Sequence, residues 1–218
     1  MFNSLVPEYD RFNRLSSLGL DGSWRREVAA LFQSGSRVLD VGTGTGELAQ
    51  TLSERGCDVV GADFSERMID AARRKLRDTK ATFVVAGADE LPFEPRSFDG
   101  ITSAFVVRSL YQGGNMAQSF REFYRVLRPN SQMVHLELTR PRKKILSVGH
   151  RAYLRWVLPM IGRLSFGERW PKDYLERTIQ AFPEPKNVAQ QMRWAGFERT
   201  SFYPLSGGVA GLFVGWRC

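Results

Sequence analysis

Arg37-Val38-Leu39-Asp40-Val41-Gly42-Thr43-Gly44-Thr45-Gly46-Glu47-Leu48 is the stretch that decides the fold of this chain. A run suited to a buried strand passes into alternating glycines and then into the start of a helix. That is the ligand end of an α/β unit, where a bound molecule lies over the carboxyl edge of the strand. The glycines permit positive φ and let backbone come close to a ligand. Asp40, two residues before the first glycine, narrows the choice of ligand. It would face the bound molecule, repelling a pyrophosphate and attracting a cation such as the sulfonium and ammonium groups of S-adenosylmethionine. A dinucleotide fingerprint, G-x-G-x-x-G, would put its third glycine one residue later, and a P-loop would need a Gly-Lys-Ser/Thr ending. Taken alone, the glycines are also compatible with a purely structural strand–turn–helix corner.

The segments downstream repeat the pattern. Asp58-Val59-Val60-Gly61-Ala62 reads as a second strand ending in Asp63. An acid there, roughly 20 residues beyond the glycine turn, is the expected partner of ribose hydroxyls. Ser65 is a candidate N-cap for the helix opened by Glu66, Met68 and Ile69. A third strand, Ala81 to Val85, leads into Ala86-Gly87-Ala88-Asp89-Glu90-Leu91-Pro92-Phe93, where Asp89 could accept a hydrogen bond from an adenine amine. A fourth runs from Phe98 to Ala104, beside Phe105. A lone acid in a loop is usually just solvated; a series of polar or small residues at one edge of one sheet marks a binding edge.

These units imply an α/β fold with a doubly wound, mostly parallel sheet of seven strands. Residues 1–35 read as an N-terminal helical cap, 36–139 as the cofactor-binding core, 140–195 as a helical lid and 196–218 as closing strands, all within one domain. Helices are expected over Gly46–Glu54, Ser65–Arg77 and Met116–Leu127, then Asp173–Phe182 and Pro185–Ala195, with Gly196 as C-cap. Phe120, Phe123, Tyr124 and Leu127 recur at helical spacing, which is most simply core. Arg128-Pro129-Asn130-Ser131 breaks to a fifth strand, Gln132–Leu138. The tail gives Phe197–Tyr203 and Gly211–Trp216, joined by a hairpin turn carrying Pro204-Leu205-Ser206-Gly207-Gly208.

At 218 residues the chain can bury a substantial core, and its 43% hydrophobic content is ordinary for a soluble globular protein. No apolar run reaches the ~18 residues that span a bilayer. Met1-Phe2-Asn3-Ser4 is not a basic region leading into an apolar core, so no secretory signal is expected. Cys57 and Cys218 have no redox or metal spacing, and His135 and His150 are the only histidines, so no metal site is expected. His135 fits a strand and reads as packed or hydrogen-bonded core. The net charge of +8 calls for something anionic: nucleic acid, a phospholipid surface or an acidic substrate. Arg140, Arg142, Lys143 and Lys144 precede an apolar, aromatic stretch from Ile145 to Ile161, interleaved with His150, Arg151 and Arg155 and followed by Arg163. This stretch suits an amphipathic helix, broken near Pro159, lying at a membrane interface. The alternative is a helix packed over the active site or the sheet.

In this setting the core resembles a class I S-adenosylmethionine-dependent methyltransferase. The whole chain is similar to the ubiquinone/menaquinone biosynthesis C-methyltransferase family. Tyr9-Asp10-Arg11-Phe12-Asn13, Ser17 and Trp24 fit the family's first signature, with Phe12, Ser16 and Asp21 departing from it. Arg125-Val126-Leu127-Arg128-Pro129 with Leu136-Glu137 fit the second, with Asn130 and Ser131 for a Gly-Gly pair and Thr139 for serine. Further matches are Leu91-Pro92-Phe93, Phe105-Val106-Val107-Arg108, Leu158-Pro159, Ile161-Gly162, Tyr174 with Glu176 and Ile179, and Gly207-Gly208-Val209-Ala210. Ser109 stands where the family usually has asparagine.

The resemblance implies C-methylation of a polyprenyl quinol ring, of the demethylmenaquinol or ubiquinol-precursor type, with S-adenosylmethionine as cofactor. Asp40, Gly42, Thr43, Gly44, Thr45 and Gly46 should surround the cofactor's methionine part, and Asp63 its ribose. Phe64 and Met68 should flank the adenine, with Gly87, Ala88 and Asp89 along its edge. Ala104 occupies a further cofactor-contacting position. Arg108 aligns with the family arginine near the reacting centre; Tyr9 would close the pocket and orient the acceptor, or cap the cofactor. The expected partners are a lipophilic quinol and an anionic membrane surface, with the protein in the cytoplasm and peripherally attached. A homodimer through the C-terminal strand edge is compatible with the sequence. The alternatives are a methyltransferase for another lipid or metabolite, an RNA methyltransferase suggested only by charge and lacking a base-stacking motif, and a non-catalytic cofactor-binding subunit. No nucleic-acid partner is expected.

Overall fold

The computed structural model describes residues 6–141, 143–167 and 174–218; the side chains of residues 6, 7, 9, 144 and 174–176 also lie outside the description. Two helices, α1 (Val6–Ser16) and α2 (Asp21–Ala29), precede the sheet. Then come β1 (Arg37–Val41), α3 (Glu47–Glu54), β2 (Asp58–Asp63), α4 (Glu66–Lys75), β3 (Thr82–Val85), β4 (Phe98–Ala104), α5 (Val107–Gln112), α6 (Met116–Val126) and β5 (Leu127–Leu138). The segment expected as a lid holds α7 (Lys144–Ala152), a π-helical turn (Tyr153–Val157), α8 (Leu158–Phe166), α9 (Tyr174–Ala181) and α10 (Pro185–Trp194), and β6 (Arg199–Leu205) and β7 (Ala210–Arg217) complete the sheet.

The seven strands are ordered β3-β2-β1-β4-β5-β7-β6. The first five are parallel, and β7 runs antiparallel between β5 and β6. The order reverses beside β1, whose two neighbours are β2 and β4. Such a switch point opens a crevice at the carboxyl ends of the strands. Because helices cover both faces, the central strands are buried on both sides and read as nearly continuous apolar runs. Leu39 and Val41 enter one core with Ile101, Phe120, Phe123 and Phe213. Val38 enters the other with Val59, Leu48, Leu52 and Trp24. Strand alternation places Asp40 on the same face as Val38, the face that α2 and α3 cover. Trp24 also ties the cap to the far end of the chain, its Nε1 donating to Ser206 Oγ at 2.9 Å.

Three sequence expectations change in detail. The fifth strand begins at Leu127, not Gln132, because Asn130 adopts φ +58 and absorbs the turn as an irregularity inside the strand. Asparagine tolerates that left-handed conformation better than most residues. Pro204 and Leu205 belong to β6, so the closing turn is only Ser206–Gly208. Pro204 lies on the sheet's edge strand, where a missing N–H costs least. The lid helix is not broken at Pro159. The chain stays helical through it, and a π turn immediately before the proline lets Leu158 N donate to Tyr153 O. Widening the helix by one residue re-registers the hydrogen bonds that proline would otherwise interrupt. Of the basic residues before the lid, Arg142 lies outside the described residues, as does Asp173 of the expected later helix.

Candidate functional site

At the end of β1, Asp40 is almost fully buried and accepts from Thr43 Oγ1 at 2.7 Å and Thr102 Oγ1 at 3.0 Å. Burial pushes its carboxyl up to about 6, against the pull of the two threonine hydroxyls and of the Arg25 charge. An acid so desolvated beside open space calls for a cation to restore its ionised form. At the end of β2, Asp63 accepts from Gly44 N at 3.0 Å and Ser65 N at 2.9 Å. Burial raises its pKa as well, and those two backbone bonds work the other way. Each Asp63 oxygen holds one N–H and keeps a second lone pair, the arrangement a ribose diol requires. Ser65 caps α4 as expected, accepting from Met68 N at 3.3 Å.

The glycine loop needs its glycines. Gly42 has φ +67, and a Cβ there would stand 2.3 Å from Val106 Cγ2. Gly46 has φ +86, with a prospective Cβ 2.8 Å from Leu76 Cδ1. Gly42, Thr43, Gly44 and Thr45 of the loop line a cleft open to solvent on one side, together with Arg25, Asp40, Ala104 and Phe105. From α1, Asp10 accepts from Thr45 Oγ1 and pairs with Lys75 Nζ at 2.8 Å; the same ammonium also pairs with Glu47. The cap is thus fastened to the loop by a charged clamp. Beyond β3, Asp89 Oδ2 accepts from Asn115 Nδ2 at 2.7 Å. Gly87 forms a lone bridge with Glu90 and a Cβ on it would meet Asp89 Oδ1 at 2.8 Å. Met68, on α4, is buried, while Phe64, directly after β2, is 68% exposed. Ala88 lies in the loop of Gly87 and Asp89, half-buried.

A second charged group lies at the carboxyl end of β4. Arg108, on α5, is buried; its backbone N donates to Glu137 Oε2 at 2.9 Å and its Nε lies 3.9 Å from Glu137 Oε1. Nε and Nη1 are buried without a hydrogen-bond partner among the described residues. For Glu137, burial works to raise the pKa, but the Arg108 charge and His135 outweigh it and hold the carboxyl below its ordinary value. His135 is core, as its strand position suggested: Nδ1 lies 2.7 Å from Ser103 Oγ and Nε2 3.7 Å from Glu137 Oε2. Tyr9 belongs to α1, but its side chain is outside the description.

Sequence reasoning did not single out Arg25, Phe105 or Glu137 as site residues. Arg25 pairs with Asp21 at i,i+4 spacing, which in a sequence reads as a solvated helix pair. Phe105 carries φ +62 directly after β4, a conformation rare for a bulky residue. Nothing in its neighbours announces it.

Fold and cleft define a class: an α/β protein with an acid-lined, glycine-rich cleft at the carboxyl edge of its parallel strands, suited to a nucleoside-bearing, cationic ligand. The two acids and the glycine cradle fit S-adenosylmethionine. Residues 1–217 match the model of the ubiE/COQ5 methyltransferase family, and the chain belongs to that family. It is 42% identical to the demethylmenaquinone methyltransferase of Deinococcus radiodurans, over 99% of this chain and 90% of the relative. It is 40% identical to that of Thermus thermophilus over the whole of both. Among solved structures, a SAM-dependent methyltransferase from Aquifex aeolicus shares the fold with a TM-score of 0.67 at 16% identity, covering 96% of this chain and 98% of that one. The protein is accordingly a methyltransferase with a Rossmann-like sheet.

Proposed function

We propose that this enzyme methylates a ring carbon of a polyprenyl quinol, of the demethylmenaquinol type, using S-adenosylmethionine. The observation that carries the reading is the pairing of an acid-lined cofactor cleft with Arg108, a buried guanidinium whose Nε and Nη1 lack hydrogen-bond partners among the described residues, three residues beyond cleft-lining Phe105. Full-length similarity to demethylmenaquinone methyltransferases supports the choice of acceptor.

When bound, the cofactor supplies an electrophilic methyl group on a positively charged sulfur. Asp40 would take the ammonium and Asp63 the ribose hydroxyls. Phe64 and Met68 would flank the adenine, with Gly87, Ala88 and Asp89 along its edge. A guanidinium such as that of Arg108 is a poor general base but a good donor to an oxyanion. Its role is to hold a ring oxygen as the quinolate, which pushes electron density onto the adjacent carbon. That carbon would take the methyl group in line as the carbon–sulfur bond breaks with its electron pair left on sulfur, and the ring proton it then sheds would go to a water held by the same guanidinium. The rest is alignment and exclusion of solvent. Glu137, itself buried, fixes Arg108 for this task.

The acceptor's tail makes the lid a docking face. Leu154, Leu158 and Phe166 bury one side of the lid against Phe12 and Ile179. Its other side leaves Ile145 (87%), Leu164 (80%) and Trp156 (71%) exposed, with Val148 and Met160 beside them. Arg151, Arg155 and Arg163 are exposed among these residues, and Arg155 lies over the Trp156 ring. An uncovered apolar face of this extent asks for a partner, and a basic rim selects an anionic lipid surface. Among the described residues no helix is long and apolar enough to cross a membrane, which fits attachment at the surface.

Labelled S-adenosylmethionine, presented with short-tail demethylmenaquinone in reduced and oxidised form and with a benzoquinol precursor, tests the reading. Transfer to a ring carbon of the reduced naphthoquinol alone is expected. Transfer to the benzoquinol would move the acceptor class, and Ser109 would then be the first residue to exchange. Transfer to the oxidised form would remove the quinolate step.

A further inference from the structure

Arg25 is the least expected residue in the cofactor cleft. It projects from α2, is only 5% exposed, and shares the cleft wall with Asp40, Gly42, Thr43, Gly44 and Thr45. A buried guanidinium is costly unless its charge and its donors are matched. Here one contact is matched: Nη1 donates to Asp21 Oδ2 at 3.2 Å. Asp21 is itself held, its Oδ1 accepting from Ser17 Oγ at 2.9 Å. The guanidinium carbon lies 5.6 Å from the centroid of the Phe105 ring. Nε remains buried with no hydrogen-bond partner among the described residues. The cation is therefore fixed in place by a salt bridge and an aromatic ring, on the wall of a cleft, with donors left over.

The opposite charges of Arg25 and Asp40 give the cleft a direction. A cofactor that ends in an amino acid brings an ammonium and a carboxylate on one carbon. Asp40 would repel the carboxylate and pair with the ammonium; Arg25 would do the reverse. The planar fork of arginine matches a carboxylate with two parallel N–H donors, which a lysine cannot reproduce.

We propose that Arg25 binds the α-carboxylate of S-adenosylmethionine, with Asp21 and Phe105 as residues that position it. The proposal rests on reading the cleft as the site of that cofactor. It sets the orientation of the amino-acid part between two opposite charges, and it gives the N-terminal cap a direct share in cofactor binding.

Calorimetric titration with two ligands tests it without turnover. S-Adenosylhomocysteine carries the amino-acid part; 5′-methylthioadenosine keeps the adenosine and sulfur but lacks both the ammonium and the carboxylate. In Arg25→Gln the affinity for S-adenosylhomocysteine should fall roughly 10- to 100-fold, the range for losing a charged hydrogen bond. The affinity for 5′-methylthioadenosine should stay within about twofold, which also reports an intact fold. Arg25→Lys, which keeps the charge opposite Asp21, should give an intermediate loss and serves if the glutamine variant does not fold. An unchanged ratio of the two affinities in both variants would overturn the assignment, whether both fall together or neither moves. Failure of the unaltered protein to bind either ligand would instead overturn the cofactor reading itself, and this assignment with it.

Discussion

Along the carboxyl edge of β1, β2 and β4, chemistry is fixed atom by atom. Asp40 has two hydroxyl partners, Asp63 has two backbone partners, and Gly42 has no room for a methyl group. The lid from α7 to α8 is built differently. One of its faces is packed against α1 and the other carries exposed aliphatic side chains and a tryptophan with arginines among them. The first region suits a small polar molecule held in one orientation. The second suits something large, apolar and fluid, for which area and charge matter more than any one contact. An enzyme joining a water-soluble methyl donor to a lipid-soluble ring needs both kinds of surface in one chain.

If the contrast holds, single substitutions at the edge should be severe in function, and those on the open lid face mild in stability. Arg108→Met should lower kcat by roughly 10²- to 10³-fold, the usual effect of removing one stabilising donor, while S-adenosylhomocysteine still binds; a parallel loss of binding would remove Arg108 from the acceptor side. Leu154→Ala, on the packed face of the lid, should cost about 2–5 kcal/mol in chemical denaturation. Gly42→Ala should lose about 1–3 kcal/mol from positive φ and overpacking together, along with cofactor affinity; adding Val106→Ala should recover the packing part alone.

Asp40 makes the edge sensitive to pH. Its carboxyl is neutral below about 6 in the free protein, and only the ionised form pairs with an ammonium. Affinity for S-adenosylhomocysteine should therefore drop as pH falls through about 6, by up to about tenfold per unit. Asp40→Asn should flatten that slope, leaving the share due to Asp63, whose pKa is also raised. The stability effect has the opposite sign. A carboxyl raised by folding contributes stability below its unfolded value and loses it as pH rises through about 6, so the free asparagine variant should melt higher than the parent at pH 7 and lose that advantage near pH 4. The smallest effect belongs to the open lid face: Trp156→Ser with Leu164→Ser should shift stability by no more than about 0.5 kcal/mol yet release the protein from anionic vesicles in flotation. Undiminished flotation would remove the lid from membrane contact.

The same contrast explains what the sequence disclosed. Asp40, Asp63 and the glycines were legible because each answers a local demand of a strand end or a tight turn, and local demands leave residue-type traces. Arg25 was not, because its burial depends on how α2 docks over the loop, and an Asp–Arg pair four residues apart looks the same on a wet surface. Phe105 gave no trace of its positive φ, which belongs to the corner between β4 and α5. The lid's helicity was legible from its periodicity. Its passage through Pro159 was not, since the π turn that accommodates the proline has no signature of its own.

Acceptor and cofactor are proposed to meet at the β4 end, with Arg108 on the ring oxygen. A crystal structure with S-adenosylhomocysteine and a soluble short-tail naphthoquinol tests it directly. The sulfur is expected beside the Gly42–Gly46 loop, with the ring carbon facing it and a ring oxygen within hydrogen-bond distance of the Arg108 guanidinium. A ring seated away from Arg108 while the cofactor product occupies its cleft would contradict it.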